Sequence, residues 1–243
     1  MSEQKAWILA SNNAKKIKEI SQILESVSLS VVTPKQGGIS LEVDEWGSTF
    51  AQNAALKALA FAKAWGGVAI ADDSGLSVDG LSGAPGVYSA RFAGEGASDD
   101  ENNQKLVAML AAEPSLDRSC RYHALIAVAK PQSAPSHVVP EIVPVCALED
   151  RAAFDTLPDF GAYRLSAELS AALGGPNEET LLWLFAGVME GEVSLEARGE
   201  GGFGYDPYVR LEDGRHVAEL PDAEKNERSH RWMALQAMYI SMM

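Results

Sequence analysis

Residues 6–32 read AWILASNNAKKIKEISQILESVSLSVV. The apolar run at 6–10 predicts a buried strand, and the polar string SNNAKK follows at once. Ile17, Ile20, Leu24 and Val27 then recur at helical spacing, which predicts an amphipathic helix over about 14–26. Val31 and Val32 supply a second short strand, so the stretch runs strand, loop, helix, strand. Working outward, Phe50, Ala54, Ala58, Phe61 and Trp65 share one face of a helix over 49–65, which Gly66 and Gly67 stop. VAIA at 68–71 is short and β-branched, and is expected as a core strand. A long glycine-rich loop is expected over 72–94, with Tyr88 and Phe92 arguing for order. A helix over 99–112 turns Leu106, Met109 and Leu110 inward, and 121–129 reads as an internal strand. Residues 181–185 and 192–195 suggest a hairpin or meander. Ser229 is a good N-cap for a last helix burying Trp232, Leu235, Met238 and Met242. Helices and strands alternate first and strands run consecutively later, so the expected fold is α/β with a mixed sheet.

The 243 residues suit one domain with a sizeable core. Segment 131–180 stands apart, with six of the eleven prolines and no lysine. It has one helical candidate, 165–173, and is read as a surface insertion on a single domain spanning 1–243. The formal net charge is −14, which offers no basic face to duplex nucleic acid or to an anionic membrane. Two cysteines, Cys120 and Cys146, make no disulfide framework and read as reduced thiols of a cytoplasmic protein. LLWLFAGVM at 181–189 is far too short to span a membrane, and the first residues lack the pattern of a signal peptide.

Four stretches can carry chemistry. SNNAKK lies where a strand gives way to a helix, whose first turn offers backbone N–H groups and the positive end of a dipole. Asn13 can add an amide donor and Lys15 or Lys16 a full charge, or the polar residues simply cap the helix and the lysines are solvated. Asp72 and Asp73 follow the VAIA strand, and adjacent side chains on extended backbone point opposite ways. One can therefore bind a metal or activate water while the other anchors the loop or a neighbouring lysine. A plain Asp–Ser–Gly turn is the competing reading. Glu42, Asp44 and Glu45 can deliver another ligand, and such a set suits Mg²⁺. GEGGFGYDPY at 199–208 lets backbone approach a flat ligand, with Phe203 or Tyr205 to stack on it, or forms a tight hairpin with its aromatics in the core. Lys225, His230 and Arg231 crowd the start of the last helix, where cations do not belong on dipole grounds and a bound anion or base carbonyl explains them.

The strings SNNAKKIKE, TFAQNAALKA, IADDSGLSVDGLSGAPGVYSARFAG, GGFGYDP and AEKNERSHRWMAL, in that order, resemble the Ham-type inosine/xanthosine triphosphate pyrophosphatases. The resemblance implies an elongated mixed β-sheet flanked by helices, two lobes with a central cleft, and a homodimer. It also implies Mg²⁺-dependent hydrolysis of ITP, dITP and XTP to the monophosphate and pyrophosphate. By the same resemblance Ser11, Asn13, Lys16 and Lys57 hold the phosphates, and Glu45 and Asp73 bind the metal. Asp73 or Asp72 orients or deprotonates the attacking water, and Ser74 touches the substrate. Phe203, Gly204, Tyr205 and Asp206 embrace the base, while Lys225, His230 and Arg231 read its 6-keto edge. Two departures stand out: Ser11-Asn12-Asn13 replaces the common Thr-Gly-Asn, and the connection after Lys130 is longer than usual. A Maf-like pyrophosphatase of other modified nucleotides and a non-catalytic nucleotide-binding protein are the rival readings.

Overall fold

A computed structural model describes residues 6–27, 29–134, 145–148 and 150–242. The chain divides into two compact units. The first comprises Met1–Asp73, Leu125–Gly187 and Met233–Met243, and the second Ser74–Ala124 and Val188–Trp232.

In the first unit β1 (Trp7–Ala10) leads into α1 (Ala14–Ser26), β2 (Val31–Val32) and α2 (Phe50–Trp65), each close to its expected place. Asn13 caps α1 by accepting from the backbone N–H groups of Lys15 and Lys16. Thr49 and Gln52 form a capping box on α2, and Gly66, at φ +62°, closes it in the left-handed conformation that a Cβ would strain. α2 buries a run of alanines, Ala51, Ala54, Ala55, Ala58 and Ala62, against Ile8, Ala10, Ala69 and Ala71 of the strands. Small side chains there let helix and sheet lie close together.

Strand β3 (Ala69–Val78) runs well past the expected VAIA. Its glycine and serines suggest a loop, yet Gly75 is there because a Cβ would collide with Ser89 Oγ and Gly86 O. The Leu76 N–H donates to that same Ser89 Oγ at 2.9 Å. β4 (Ser119–Pro131) covers the expected internal strand. The strand order is β2-β1-β3-β4-β7-β6-β5, with β8 beside β7. β1 pairs parallel with β2 and β3, β5 parallel with β6, and β6 antiparallel with β7, so the sheet is mixed as expected.

The stretch read as a surface insertion is exposed in part, but its described residues also send side chains into the interior. It supplies β5 (Val145–Leu148), α4 (Arg151–Asp155), β6 (Gly161–Leu165) and α5 (Ala167–Ala172). Leu148, Phe154, Leu157, Tyr163, Leu165, Leu169 and Leu173 are buried in the first unit's core. Prolines 135, 140 and 144 lie outside the described residues. Strand β7 (Thr180–Val193) is one continuous strand in place of the expected hairpin. Val188 is exposed, Met189 buried and Glu190 exposed, the period-two signature of a strand that runs on past Ala186-Gly187.

The second unit holds the last parts of β3 and β7 and the first part of β4, with α3 (Asp99–Ala112), β8 (Val209–Arg210) and α6 (Asp222–Arg228). Its core gathers Leu76, Val78, Leu106, Leu110, Tyr122, Met189, Val193, Tyr205 and Val209. Met109, expected inside, is 40% exposed. α7 (His230–Met242) begins here, with the Trp232 N–H donating to Ser229 Oγ at 3.1 Å as the expected N-cap. Leu235 and Met238 are buried, Trp232 only partly, and the side chain of Met242 lies outside the description.

Candidate active site

In the first unit the site grows from β3. Ala69, Ala71 and Asp73 share one face of this strand, Ile70 and Asp72 the other. Each carboxylate meets a lysine from a different helix. Lys16 of α1 lies with Nζ 2.8 Å from Asp72 Oδ2, and the Asp72 side chain is wholly buried. Lys57 of α2 lies with Nζ 2.8 Å from Asp73 Oδ1 and 3.2 Å from Glu45 Oε2. The opposed directions anticipated for the two aspartates are realised, but mid-strand rather than at a strand's end. Burial alone would lower the Lys57 ammonium; Asp73, Glu45 and Asp72 around it together raise it above its ordinary value, so it stays charged. Burial lifts the Asp73 carboxyl above the usual range, helped by Glu45 and opposed by Lys57 and Lys16.

At the head of α1, Asn13 Oδ1 accepts from the N–H groups of Lys15 and Lys16 at 3.0 and 3.2 Å, and Ser11 Oγ accepts from the Asn13 N–H at 3.2 Å. The N–H groups of Asn13, Lys15 and Lys16 are thus taken up by the Ser11 and Asn13 side chains at the helix entry. Asn12 Nδ2 donates to Leu41 O at 3.0 Å. Glu42 and Asp44 are exposed, so of the three acids before α2 only Glu45 joins the lysine.

The carboxylates of Glu45 and Asp73 already share one cation, the Lys57 ammonium. Two hard oxygen donors of this kind match Mg²⁺, which takes one or two protein carboxylates and completes its shell with water and phosphate oxygens. No group of three or more His, Cys, Asp or Glu side chains is arranged as a metal-binding set among the described residues.

In the second unit Asp206 is the hub. Its Oδ1 accepts from Tyr122 Oη at 2.9 Å, and its Oδ2 from Lys225 Nζ at 2.7 Å and the Phe203 N–H at 2.8 Å. Lys225 Nζ and the Arg231 guanidinium carbon lie 4.7 and 5.2 Å from the centroid of the Phe203 ring. Arg231 Nη2 donates to Ser74 Oγ at 2.7 Å. The His230 ring stacks on Tyr122, centroids 4.9 Å apart and planes 9° from parallel. α3 fixes the turn: Asn103 Nδ2 donates to Gly204 O at 2.9 Å, and the Gly204 N–H donates to Asp99 Oδ2 at 3.0 Å. Burial, then the neighbouring Asp206 carboxylate, hold the Tyr122 phenol well above its ordinary value, so it acts as a donor only.

Ser74, Phe203, Gly204, Asp206, Lys225 and Arg231 therefore belong to one constellation. Tyr205 departs from it. Its ring is buried in the second unit's core, and its hydroxyl donates to Ser89 O at 2.9 Å, so it braces the turn from beneath. Of the two alternatives for a stacking ring, Phe203 stands among the cations, and Tyr205 takes the core position that the competing reading gave the aromatics. Tyr122, Asn103 and Asp99 are supporting residues that the sequence reading did not single out.

The model of the Ham1 family matches residues 7–157 and 151–240. The chain is 36% identical over 230 residues to the dITP/XTP pyrophosphatase of Desulforamulus reducens, covering 94% of this chain and 91% of that protein. It is 36% identical over 235 residues to the dITP/XTP pyrophosphatase of Bacillus subtilis, covering 96% and 95%. Its fold superposes on a HAM1 protein from Coxiella burnetii with a TM-score of 0.71 and 32% identity, covering 97% of this chain and 96% of that one. The Staphylococcus aureus Ham1 protein follows with a TM-score of 0.68 and 30% identity, over 97% of each chain. With sequence and fold alike from end to end, and with the paired lysines and carboxylates on the strings that first suggested the resemblance, this chain belongs to the Ham1 family.

Proposed function

We propose that this protein hydrolyses the non-canonical purine nucleoside triphosphates ITP, dITP and XTP to the monophosphate and pyrophosphate. The observation that carries the reading is the shared Lys57: one ammonium held by Asp73 at 2.8 Å and Glu45 at 3.2 Å, one strand position from the Lys16–Asp72 pair. Membership in the Ham1 family and relatives named dITP/XTP pyrophosphatases support it.

Cleavage of the α,β-phosphoanhydride puts negative charge on departing pyrophosphate, so the protein's work is positioning and charge neutralisation. Lys16 and Lys57 supply positive charge to the phosphates, and Ser11 and the Asn13 amide supply neutral donors. Asp72, buried and paired, holds Lys16 in place. Asp73 orients the attacking water and takes its proton, a role that suits a carboxyl whose burial raises its proton affinity. Glu45 and Asp73 would hold Mg²⁺, which when bound supplies charge neutralisation and a more acidic water.

In the second unit Phe203 offers a face for the base, and Lys225, His230 and Arg231 offer donors to a carbonyl at purine position 6. Adenine places an amino donor at that position, so the same donors would be left unmatched against it. A site built on hydrogen bonds can discriminate by roughly 10⁴- to 10⁵-fold in this way.

The reading extends to a homodimer of the cytoplasmic nucleotide pool, with no nucleic-acid or membrane partner. The net charge of −14 supports the last two points, and among the described residues no helix is long and apolar enough to cross a membrane. Phosphate release coupled to an inorganic pyrophosphatase, over a nucleotide panel with and without Mg²⁺, tests the activity. Preference for ITP and XTP over ATP and GTP, dependent on Mg²⁺, is expected. Pyrimidine preference, or no turnover, overturns it. The molar mass in solution tests the dimer.

A further inference from the structure

Glu45 sits in a segment without regular secondary structure, yet it must hold its carboxylate beside Lys57. What fixes it comes from α4, within the stretch that the sequence reading set aside as an insertion. Trp46, the next residue, lies under the Arg151 guanidinium, whose carbon is 3.7 Å from the ring centroid. The same ring packs at 58° against Phe154, with centroids 5.8 Å apart, and Phe154 is fully buried. On the other side of Trp46, a Cβ on Gly47 would lie 2.5 Å from Asn53 Oδ1 and 2.7 Å from Gln52 Cβ, so only glycine fits. The Gly47 N–H donates to Asn53 Oδ1 at 2.8 Å.

Gln52 joins the two parts. Its Oε1 accepts from the Ser48 and Thr49 N–H groups at 2.7 and 3.2 Å. Its Nε2 donates to Phe154 O at 3.3 Å and Asp155 O at 2.9 Å. One side chain therefore ties the turn after Glu45 to the end of α4. Arg151 is held in turn by Asp155, Nε to Oδ1 at 3.0 Å. The whole assembly lies within the first unit.

We propose that Trp46, Gln52 and Arg151 are positioning residues, a clamp through which α4 holds the Glu45 carboxylate at the cation site beside Lys57. The inference rests on the functional reading above for what the cation site does, and on geometry alone for the clamp.

Two readouts test it on the full-length protein. The first is amide hydrogen exchange of residues 45–49 in metal-free protein, for wild type, Arg151→Ala, Trp46→Ala and Trp46→Phe. The second is the Mg²⁺ concentration giving half-maximal dITP hydrolysis. Arg151→Ala and Trp46→Ala should speed exchange at Gly47, Ser48 and Thr49 and raise the Mg²⁺ requirement about two- to five-fold, the size of an exposed cation–π contact. Trp46→Phe should recover most of both, and the thermal midpoint of Arg151→Ala should stay near wild type. Unchanged exchange in both alanine variants overturns the clamp, even if the wild type proves inactive on dITP. Faster exchange with an unchanged Mg²⁺ requirement overturns its link to Glu45. An inactive wild type with faster exchange in the variants overturns the functional reading and leaves the clamp standing.

Discussion

Lys16 Nζ lies 2.8 Å from Asp72 Oδ2, joining a partly exposed lysine to a carboxylate that solvent does not reach. Removing one partner of a buried pair strands the other. Lys16→Ala should therefore lower the unfolding free energy by about 3 kcal/mol, near the low end for such pairs. Urea denaturation of nucleotide-free protein measures it. A stability equal to wild type would show that Asp72 does not depend on Lys16.

Asp73→Asn keeps the shape of the side chain and removes the proton acceptor. Turnover of dITP should fall by about 10²- to 10⁴-fold, the range spanned by general bases. Nucleotide binding, followed by calorimetry, should persist, because Lys16 and Lys57 remain. A near-normal kcat removes Asp73 from the proton-transfer role.

Arg231 stands over Phe203 and donates to Ser74 Oγ. Arg231→Ala should lower kcat/KM for ITP by about 1–3 kcal/mol in transition-state terms, the cost of losing a charged hydrogen bond. ITP hydrolysis untouched by the change would mean that Arg231 does not read the base.

Tyr122 touches Asp206 and His230, and through Asp206 it steadies Lys225. Tyr122→Phe deletes one oxygen. It should cost roughly 1.5–3 kcal/mol of stability, the range for a hydrogen bond to a charged group. It should also narrow the ITP-to-ATP preference more than it lowers kcat on ITP. An unaltered preference ratio would confine Tyr122 to the core.

The two thiols differ sharply. Burial, then the charges of Glu190, Asp79 and Glu192, push the Cys120 thiol up to about 12, while Cys146 is exposed. A thiol reagent at pH 8 should modify Cys146 promptly and Cys120 only after denaturation. The folded state holds the Cys120 proton more tightly than the unfolded chain, with its ordinary value of 9.0. That contribution to stability is complete below pH 9.0 and is lost as pH rises toward about 12. Rapid reaction of both thiols in native protein would contradict the burial of Cys120.

Much of this was legible in the sequence where local rules suffice. α1, α2 and α3 fall close to where the apolar pattern put them, α2 ending at its terminal glycines. The aspartates and lysines were visible because strand alternation and helix position are local properties. From sequence β3 stops at VAIA because the stretch after it, Gly75 included, is rich in glycine. The reason for that glycine, a collision with Ser89, is a tertiary contact. From sequence β7 reads as two strands, 181–185 and 192–195, and β5 and β6 are hidden among prolines. Tyr122, Asn103 and Gln52 escaped notice because their partners lie 84, 101 and 102 residues away. Sequence leaves Tyr205 open between stacking and the core, since nothing local signals that Ser89 O accepts its hydroxyl.

The two aspartates occupy consecutive positions on β3, and that adjacency sets how the gene can drift. A substitution of Asp72 or of Asp73 breaks the ion pair of that one acid. Loss or gain of a single codon there would turn each acid toward the helix that serves its neighbour, undoing both ion pairs together.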